Sequence, residues 1–261
     1  LLDNSNFANP INQRMETAYT GQRNKYTIDR WKTWGDVSVY DGYIAFTNNY
    51  DGTSGAINLY QFFDTGRIVP GKTYTAACML NDGSVCVGSG VAVSGEMTEM
   101  FVSDNISLLI AAESNELDWF AIKNEIVGET LNIVWAALYE GEYTADTLPP
   151  YVPKGIAEER LECQRYYYFA NNYTSWIAYK STTMYAFLHL PTLMRAVPTV
   201  TSEAFGFRSA ESGVQTTGAT VANVYAGEFG NTIRISFAND GKSNNQVAVL
   251  TTSKLQVSAE F

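Results

Sequence analysis

The chain has 261 residues, of which 46% are hydrophobic and 17% charged, and its formal net charge is −10. This composition supplies enough apolar surface for one large or two ordinary domains, and the low charge argues against a disordered chain. Nucleic-acid binding needs a basic surface, which an acidic chain lacks. No apolar run reaches the length of a membrane span. The chain opens LLDNSNF, without methionine or a basic n-region, so we expect no signal peptide here.

The first half of the chain alternates apolar and polar residues with a period of two, which predicts β-strands. VSVYDGYIAF (37–46) predicts a hairpin around Asp41-Gly42, a favoured two-residue turn. Residues 73–80 and 85–93 flank a second turn at Asp82-Gly83. Further strands are predicted at 106–110, 117–122 and 131–138. Short strands with regular turn signals are typical of a sandwich or a barrel.

The composition changes at TLPPYVPKG (147–155), which holds three of the seven prolines. Proline removes donors from a strand ladder, so this stretch predicts the exit from a first domain. IAEERLEC (156–163) predicts one short helix, with Ile156 and Leu161 available for burial. Further strands are predicted at 166–169, 175–180, 183–190, 198–202, 231–240 and 246–261.

The predicted fold class is all-β, with two β-sandwich domains of which the first is jelly-roll-like. A Pro-rich segment and the short helix join the two domains. The expected boundaries are 1–153 for the jelly roll, 154–163 for the linker helix and 164–261 for the C-terminal head.

Four stretches together resemble a recurring arrangement in tail proteins of bacteriophages and prophages. They are LLDNSNFANPINQR (1–14), YTIDRW (26–31), IVPGKTYTAA (68–77) and WAALYEGEYTADTLPPYVPKGIAEERLECQRYY (135–167). In that family a jelly-roll domain, like a carbohydrate-binding module, precedes a C-terminal β-sandwich head. The resemblance covers about residues 1–170, and beyond it only MRAVPTVT (194–201) is similar to the head domains. The chain departs from the family pattern at Met15-Glu16 and at Tyr139-Glu140.

The resemblance implies a non-enzymatic receptor-binding, or adhesion, protein at the tail of a virion, made in the bacterial cytoplasm. It also implies a homotrimer that contacts other tail proteins and recognises host cell-surface carbohydrate. Two other classes remain open: a purely structural tail or baseplate component, and a hydrolase of cell-surface glycan.

Aromatic residues around the first predicted hairpin are the candidates for glycan binding. Aromatic rings stack on the C–H faces of sugars while polar groups bind the hydroxyls, and loops on a rigid sandwich are the usual place for such sites. The candidate set is Trp34, Asp36, Tyr43, Asn49, Tyr50 and Asp51. Trp31, by contrast, is expected in the core.

The sequence RYYYF predicts the first strand of the second domain. Strand alternation would send Tyr166 and Tyr168 to one face and Tyr167 and Phe169 to the other, so both faces would be apolar. We expect one face in the domain core and the other against a partner subunit. The expected interface residues are Tyr166, Tyr168 and Trp176. Glycan stacking by this strand is the alternative.

Catalytic signals are weak. His189 is the only histidine and is expected to be structural, and with no Cys-x-x-Cys a zinc site is not expected. A glycosidase would need two carboxylates at a defined separation. The acidic candidates are Asp104, Glu113, Glu116, Asp118 and Glu125.

No cofactor is expected, with a structural calcium ion as the alternative. Asp3 and its neighbours would then supply oxygen ligands. We expect Cys78, Cys86 and Cys163 to be reduced and buried, with the first two close together but not directly opposite across their turn.

Overall fold

The computed structural model describes residues 1–49, 58–114, 117–180, 183–202, 206–209, 215–217, 221–227, 230–238 and 248–260. Within the later strands many side chains, among them that of Trp176, lie outside this description. The chain divides into two compact units, Leu1–Glu159 and Arg160–Phe261. In the described part, no helix is long and apolar enough to cross a membrane.

The described residues of the first unit form two antiparallel sheets of six strands each. The strands are β1 (Ala18–Tyr19), β2 (Lys25–Tyr26), β3 (Trp31–Thr33), β4 (Asp36–Tyr40), β5 (Tyr43–Thr47), β6 (Asn58–Asp64), β7 (Thr73–Leu80), β8 (Val85–Val91), β9 (Met97–Val102), β10 (Ile106–Ser114), β11 (Leu117–Asn124) and β12 (Thr130–Glu140). The first sheet has the order β1-β4-β5-β12-β7-β8, and the second has the order β2-β3-β6-β11-β10-β9.

The two sheets form a sandwich, which confirms the all-β prediction. Strands β5, β6 and β7 alternate between the sheets, and the late strands β11 and β12 each lie between earlier strands, as in a jelly roll. One cluster of buried apolar side chains fills the space between the sheets. Its largest fully buried members include Trp31, Tyr74, Phe7, Phe46 and Phe120.

Both predicted Asp-Gly hairpins form. Gly42 (φ 89°) and Gly83 (φ 85°) lie in the left-handed region that glycine adopts without strain. The register of β7 and β8 places Cys78 directly opposite Cys86, so the prediction that they are offset is wrong. The reason is that the turn extends to Ser84, whose carbonyl accepts from the Leu80 N–H, which moves the register by one residue. All three cysteines carry free thiols; Cys78 and Cys163 are buried and Cys86 is partly exposed.

Strands β8 and β9 close the sandwich along one edge. A Cβ added at Gly88 would lie 1.9 Å from the Met100 carbonyl oxygen, and one at Gly90 would lie 2.9 Å from Thr98 Cγ2. Glycine at these positions therefore lets the edge strands of the two sheets approach each other closely.

Helix α1 (Ile156–Gln164) forms where predicted, but it buries different residues. Ile156 and Leu161 are 53% and 48% exposed, so the prediction that they are buried is wrong. The buried residues of the helix include Glu159 and Cys163. Glu159 accepts a hydrogen bond from the Asn4 backbone N–H, which compensates for the burial of its carboxylate.

The described strands of the second unit belong to one eight-stranded sheet. They are β13 (Tyr167–Lys180), β14 (Thr183–His189), β15 (Thr199–Ser202), β16 (Gly206–Ser209), β17 (Gln215–Thr217), β18 (Val221–Gly227), β19 (Gly230–Ala238) and β20 (Ala248–Ser258). The order is β17-β16-β20-β13-β14-β19-β18, with β15 also paired to β20. Strands β15 and β18 approach each other, so the sheet is curled. The two strands predicted at 166–169 and 175–180 are a single strand.

Candidate functional site

The predicted glycan-binding residues fall at two ends of the β4–β5 hairpin. At one end Asn49 Nδ2 donates to Asp36 Oδ1 at 2.7 Å, and the Gly21 N–H donates to the same oxygen at 2.7 Å. At the other end the ring of Tyr43 stacks on Tyr40, with centroids 5.1 Å apart. The five-residue strand separates these ends by about 13 Å.

Trp34 is half-buried and packs against the sandwich core. Tyr50 and Asp51 lie outside the described residues. The structure thus brings Asp36 and Asn49 together and places Tyr43 apart from them.

A different aromatic cluster lies on the outward side of the second sheet. We call it the aromatic face, and it consists of Tyr26, Lys32, Tyr60, Phe62 and Trp119. Because strand residues alternate, the neighbours of these residues point inward and are fully buried; they include Trp31, Gln61 and Phe120. All five residues of the aromatic face are partly exposed.

Strand register brings the aromatic face together. Lys32 is the cross-strand partner of Tyr26 on one side and of Tyr60 on the other. Phe62 is the partner of Trp119. Phe62 and Trp119, which are 57 positions apart in the chain, therefore lie side by side, and the aromatic face extends over the four adjacent strands β2, β3, β6 and β11.

The rings meet in two orientations. Tyr60 and Phe62 are stacked with centroids 5.6 Å apart and an interplanar angle of 22°. Tyr60 and Trp119 are also 5.6 Å apart, but at 83°. The Tyr60 hydroxyl accepts a hydrogen bond from Asn58 Nδ2, and burial raises the pKa of this hydroxyl above its usual value. The rings of Tyr60 and Trp119 therefore lie at nearly a right angle to each other.

Small and aliphatic residues are the cross-strand neighbours of Tyr60 and Trp119 toward strand β10. Ala121 pairs with Tyr60 on one side and with Leu109 on the other, and Ala111 pairs with Trp119. Leu109, Ala111 and Ala121 are buried, so they add no exposed surface to the aromatic face.

The ammonium of Lys32 lies over two rings of the aromatic face. Its Nζ is 5.6 Å from the centroid of Tyr26 and 5.4 Å from that of Phe62. On Tyr26 the guanidinium of Arg14 makes a further cation–π contact at 5.6 Å. Arg14 also pairs with the buried carboxylate of Asp29 at 3.3 Å.

Aromatic residues on the first sheet pack against the Pro-rich segment and have a structural role. Trp135 and Tyr151 stack in parallel, with centroids 4.7 Å apart and an angle of 5°. This contact fixes the Pro-rich segment against strand β12. The Tyr139 hydroxyl, also on strand β12, donates to the carbonyl of Pro149 in the Pro-rich segment at 3.5 Å.

Sequence reasoning missed the aromatic face because strand β6 was not predicted. NLYQFFD (58–64) has apolar residues on both faces, so its alternation is weak. The available signal was that three rings fall within four residues in Tyr60, Phe62 and Phe63, which is typical of a strand with one face in the core and the other partly exposed.

Asp3, the candidate calcium ligand, has three cationic neighbours. Its carboxylate lies 3.3 Å from Arg30, 3.3 Å from Lys154 and 3.7 Å from Arg67. Burial alone would raise the pKa of Asp3, but the three cations outweigh it and lower the pKa below the usual value. A calcium ion at this carboxylate would be repelled by the same cations.

The carboxylates weighed as a glycosidase pair have structural partners. Asp118 is fully buried and accepts from the backbone N–H groups of Ile68 and Glu113, each at 2.8 Å. Glu125 pairs with Lys123 and accepts from the Ser107 hydroxyl at 2.6 Å.

The remaining candidates are dispersed. Glu113 accepts a hydrogen bond from Ser94, Asp104 is exposed in a turn, and Glu116 lies outside the described residues. His189 is exposed, and its Nδ1 lies 2.7 Å from the Thr232 hydroxyl.

The expected interface residues of the second unit differ in exposure. Tyr166 precedes strand β13, is 8% exposed, and its carbonyl accepts from the Ala259 N–H at 2.7 Å. Strand β13 begins at Tyr167, one residue later than predicted. Tyr168 is partly exposed, and the side chain of Trp176 lies outside the described residues.

Comparisons of the chain with protein-family models, with curated proteins and with solved structures gave no match.

Proposed function

We propose that the chain is a carbohydrate-binding adhesion module of the bacteriophage-tail type, and that it binds host cell-surface glycan on the aromatic face. The observation that supports this proposal is the perpendicular pair of Tyr60 and Trp119, both partly exposed and fixed on rigid strands. The resemblance of residues 1–14 and 135–167 to phage tail proteins gives the biological setting.

The geometry favours sugar binding for a physical reason. A pyranose ring offers a flat C–H face that stacks on one aromatic ring while a second ring contacts its edge. Because Tyr60 and Trp119 are held by the sheet, little side-chain entropy is lost when a ligand binds. In a homotrimer, which is part of the proposal, several weak sites would combine into high avidity.

A glycan array with two matched variants tests the proposal. Trp119→Ala removes one ring of the aromatic face, whereas Tyr43→Ala removes a partly exposed ring at the β4–β5 hairpin. We expect wild type and Tyr43→Ala to bind the same glycans and Trp119→Ala to lose at least about tenfold in affinity, as central interface aromatics do. Thermal unfolding of each variant checks that the fold is retained.

The alternative outcomes are distinct. Loss of binding with Tyr43→Ala alone would move the site to the β4–β5 hairpin. If the wild-type protein binds no glycan on the array, the proposal is wrong, and a purely structural tail component is favoured. Sedimentation of the purified chain measures the oligomeric state, and a monomer would remove the avidity argument.

A further inference from the structure

Cys78 and Cys86 lie directly opposite each other on strands β7 and β8, and both thiols are free. Cross-strand partners in an antiparallel pair project to the same face of the sheet, with Cα atoms about 4.5 to 5.5 Å apart. Disulfides span Cα separations of about 4.4 to 6.8 Å. The register of the hairpin therefore brings these two cysteines within the range of a disulfide bond.

Both side chains face the interior of the sandwich, but they differ in exposure. Cys78 is fully buried in the apolar cluster between the sheets, and Cys86 packs against that cluster and is partly exposed. Burial, and after it the neighbouring Cys86 thiol, raises the pKa of the Cys78 thiol. The two sulfur atoms are thus close enough to interact electrostatically.

This difference in exposure gives oxidation a defined order. A small disulfide such as glutathione disulfide can reach Cys86 but not Cys78. The Cys86 thiolate attacks one sulfur of glutathione disulfide and releases one glutathione thiolate, which leaves a mixed disulfide. The Cys78 thiolate then attacks the Cys86 sulfur and releases the second glutathione thiolate. Two protein thiols are oxidised, one glutathione disulfide is reduced, and the two protein protons pass to the released thiolates.

We propose that this pair is a redox modification site, at which Cys86 receives a small disulfide oxidant and Cys78 resolves the adduct into a Cys78–Cys86 disulfide. The product would join β8, an edge strand of the first sheet, covalently to β7. Cys163 lies on helix α1 and is a cross-strand partner of neither residue, so it should remain a thiol. The proposal does not depend on glycan binding.

Exchange of the native chain with glutathione disulfide at pH 8 tests the proposal. After acid quenching, the remaining thiols are alkylated with N-ethylmaleimide in denaturant. Cleavage before aspartate at Asp82 separates the two cysteines into fragments 64–81 and 82–103. We expect these fragments to stay joined until a reductant is added, and Cys163 to carry the maleimide. Non-reducing electrophoresis checks that the link lies within one chain.

Matched alanine variants assign the two roles. Cys78→Ala should leave Cys86 as a stable mixed disulfide with glutathione, because the resolving thiol is gone. Cys86→Ala should leave Cys78 unmodified, because its sulfur is fully buried. Cys163→Ala should form the internal disulfide in the same yield as the wild type. Thermal unfolding of the reduced variants checks that each one folds.

The disulfide should also stabilise the hairpin. We expect oxidation to raise the midpoint of thermal unfolding of the wild-type protein by about 5 °C, because the link restricts the unfolded chain. The same oxidising buffer should leave the midpoint of Cys86→Ala unchanged. An oxidised wild-type protein with an unchanged midpoint would contradict the role of the disulfide in holding β8.

Three results would overturn the modification site itself. One is a wild-type chain in which all three cysteines remain available to the maleimide. Another is oxidation that stops at a glutathione adduct on Cys86, which would show that Cys78 does not resolve it. The third is a disulfide that involves Cys163 or a second chain in place of the Cys78–Cys86 pair.

Discussion

The indole Nε1 of Trp31 donates a hydrogen bond to the backbone carbonyl of Asn4 at 2.8 Å in the interior of the first unit. The side chain of Asn4 continues the connection. Its Nδ2 donates to the carbonyls of Ile11 and Asp29, and its Oδ1 accepts from the Ile11 N–H. The opening segment of the chain is therefore bound to the first strands of the second sheet by buried hydrogen bonds.

Asn4→Ala should destabilise the first unit strongly, because it leaves buried backbone groups without partners. We expect a loss of about 3 kcal/mol in the free energy of unfolding, measured by urea denaturation. Asn24→Ala is the control, since Asn24 also has a positive φ (56°, against 48° for Asn4) but is exposed. Similar losses for the two variants would show that backbone strain, not the buried hydrogen bonds, dominates.

Asp3→Asn should destabilise the protein in a pH-dependent manner. Burial raises the pKa of Asp3, but Arg30, Lys154 and Arg67 outweigh it and lower the pKa in the folded state. The ionised carboxylate therefore stabilises the fold above the usual carboxyl pKa, and this stabilisation is lost as pH falls below about 4.

We expect Asp3→Asn to cost about 3 kcal/mol at pH 7, because three cations lose the negative charge of the Asp3 carboxylate, and to cost less at pH 3. Urea denaturation at both pH values measures the difference. Asp104→Asn, in an exposed turn, should have little effect at either pH. A cost for Asp3→Asn that does not change with pH would contradict the ionic explanation.

Gly88→Ala should disrupt the edge where the two sheets meet. Its Cβ would lie 1.9 Å from the Met100 carbonyl oxygen and 2.9 Å from the Cβ of Phe101, and neither atom belongs to the end of a flexible side chain. We expect a loss of about 3 kcal/mol, seen as a lower melting temperature. Gly155→Ala, where a new Cβ meets nothing within 4 Å, should leave the melting temperature nearly unchanged. Equal effects would argue against close approach of β8 and β9.

The thiols of Cys78 and Cys86, which are cross-strand partners on β7 and β8, should differ in reactivity. Burial raises the pKa of Cys78 well above its usual value, and raises that of the partly exposed Cys86 to a lesser extent. Since the thiolate is the reactive form, we expect iodoacetamide to label Cys86 slowly and Cys78 hardly at all in the native protein at pH 8. Peptide mass spectrometry gives the order, and faster labelling of Cys78 would contradict the burial of its thiol.

The sequence by itself determined the all-β class, the Asp-Gly hairpins and the location of the helix. These features depend on local chemistry. A period of two defines a strand, and glycine at a turn permits a positive φ, as at Gly42 and Gly83. The burial of Trp31 was also predictable from its place in the YTIDRW motif, and it is confirmed.

Only the tertiary structure decided which side of each element faces a partner. Helix α1 buries Glu159 and leaves Leu161 exposed, because a buried N–H of Asn4 lies where the carboxylate can accept it. The aromatic face likewise depends on the register that places Phe62 beside Trp119, far away in the chain. Such pairings are set by the packing of two sheets, and no local pattern in the sequence encodes them.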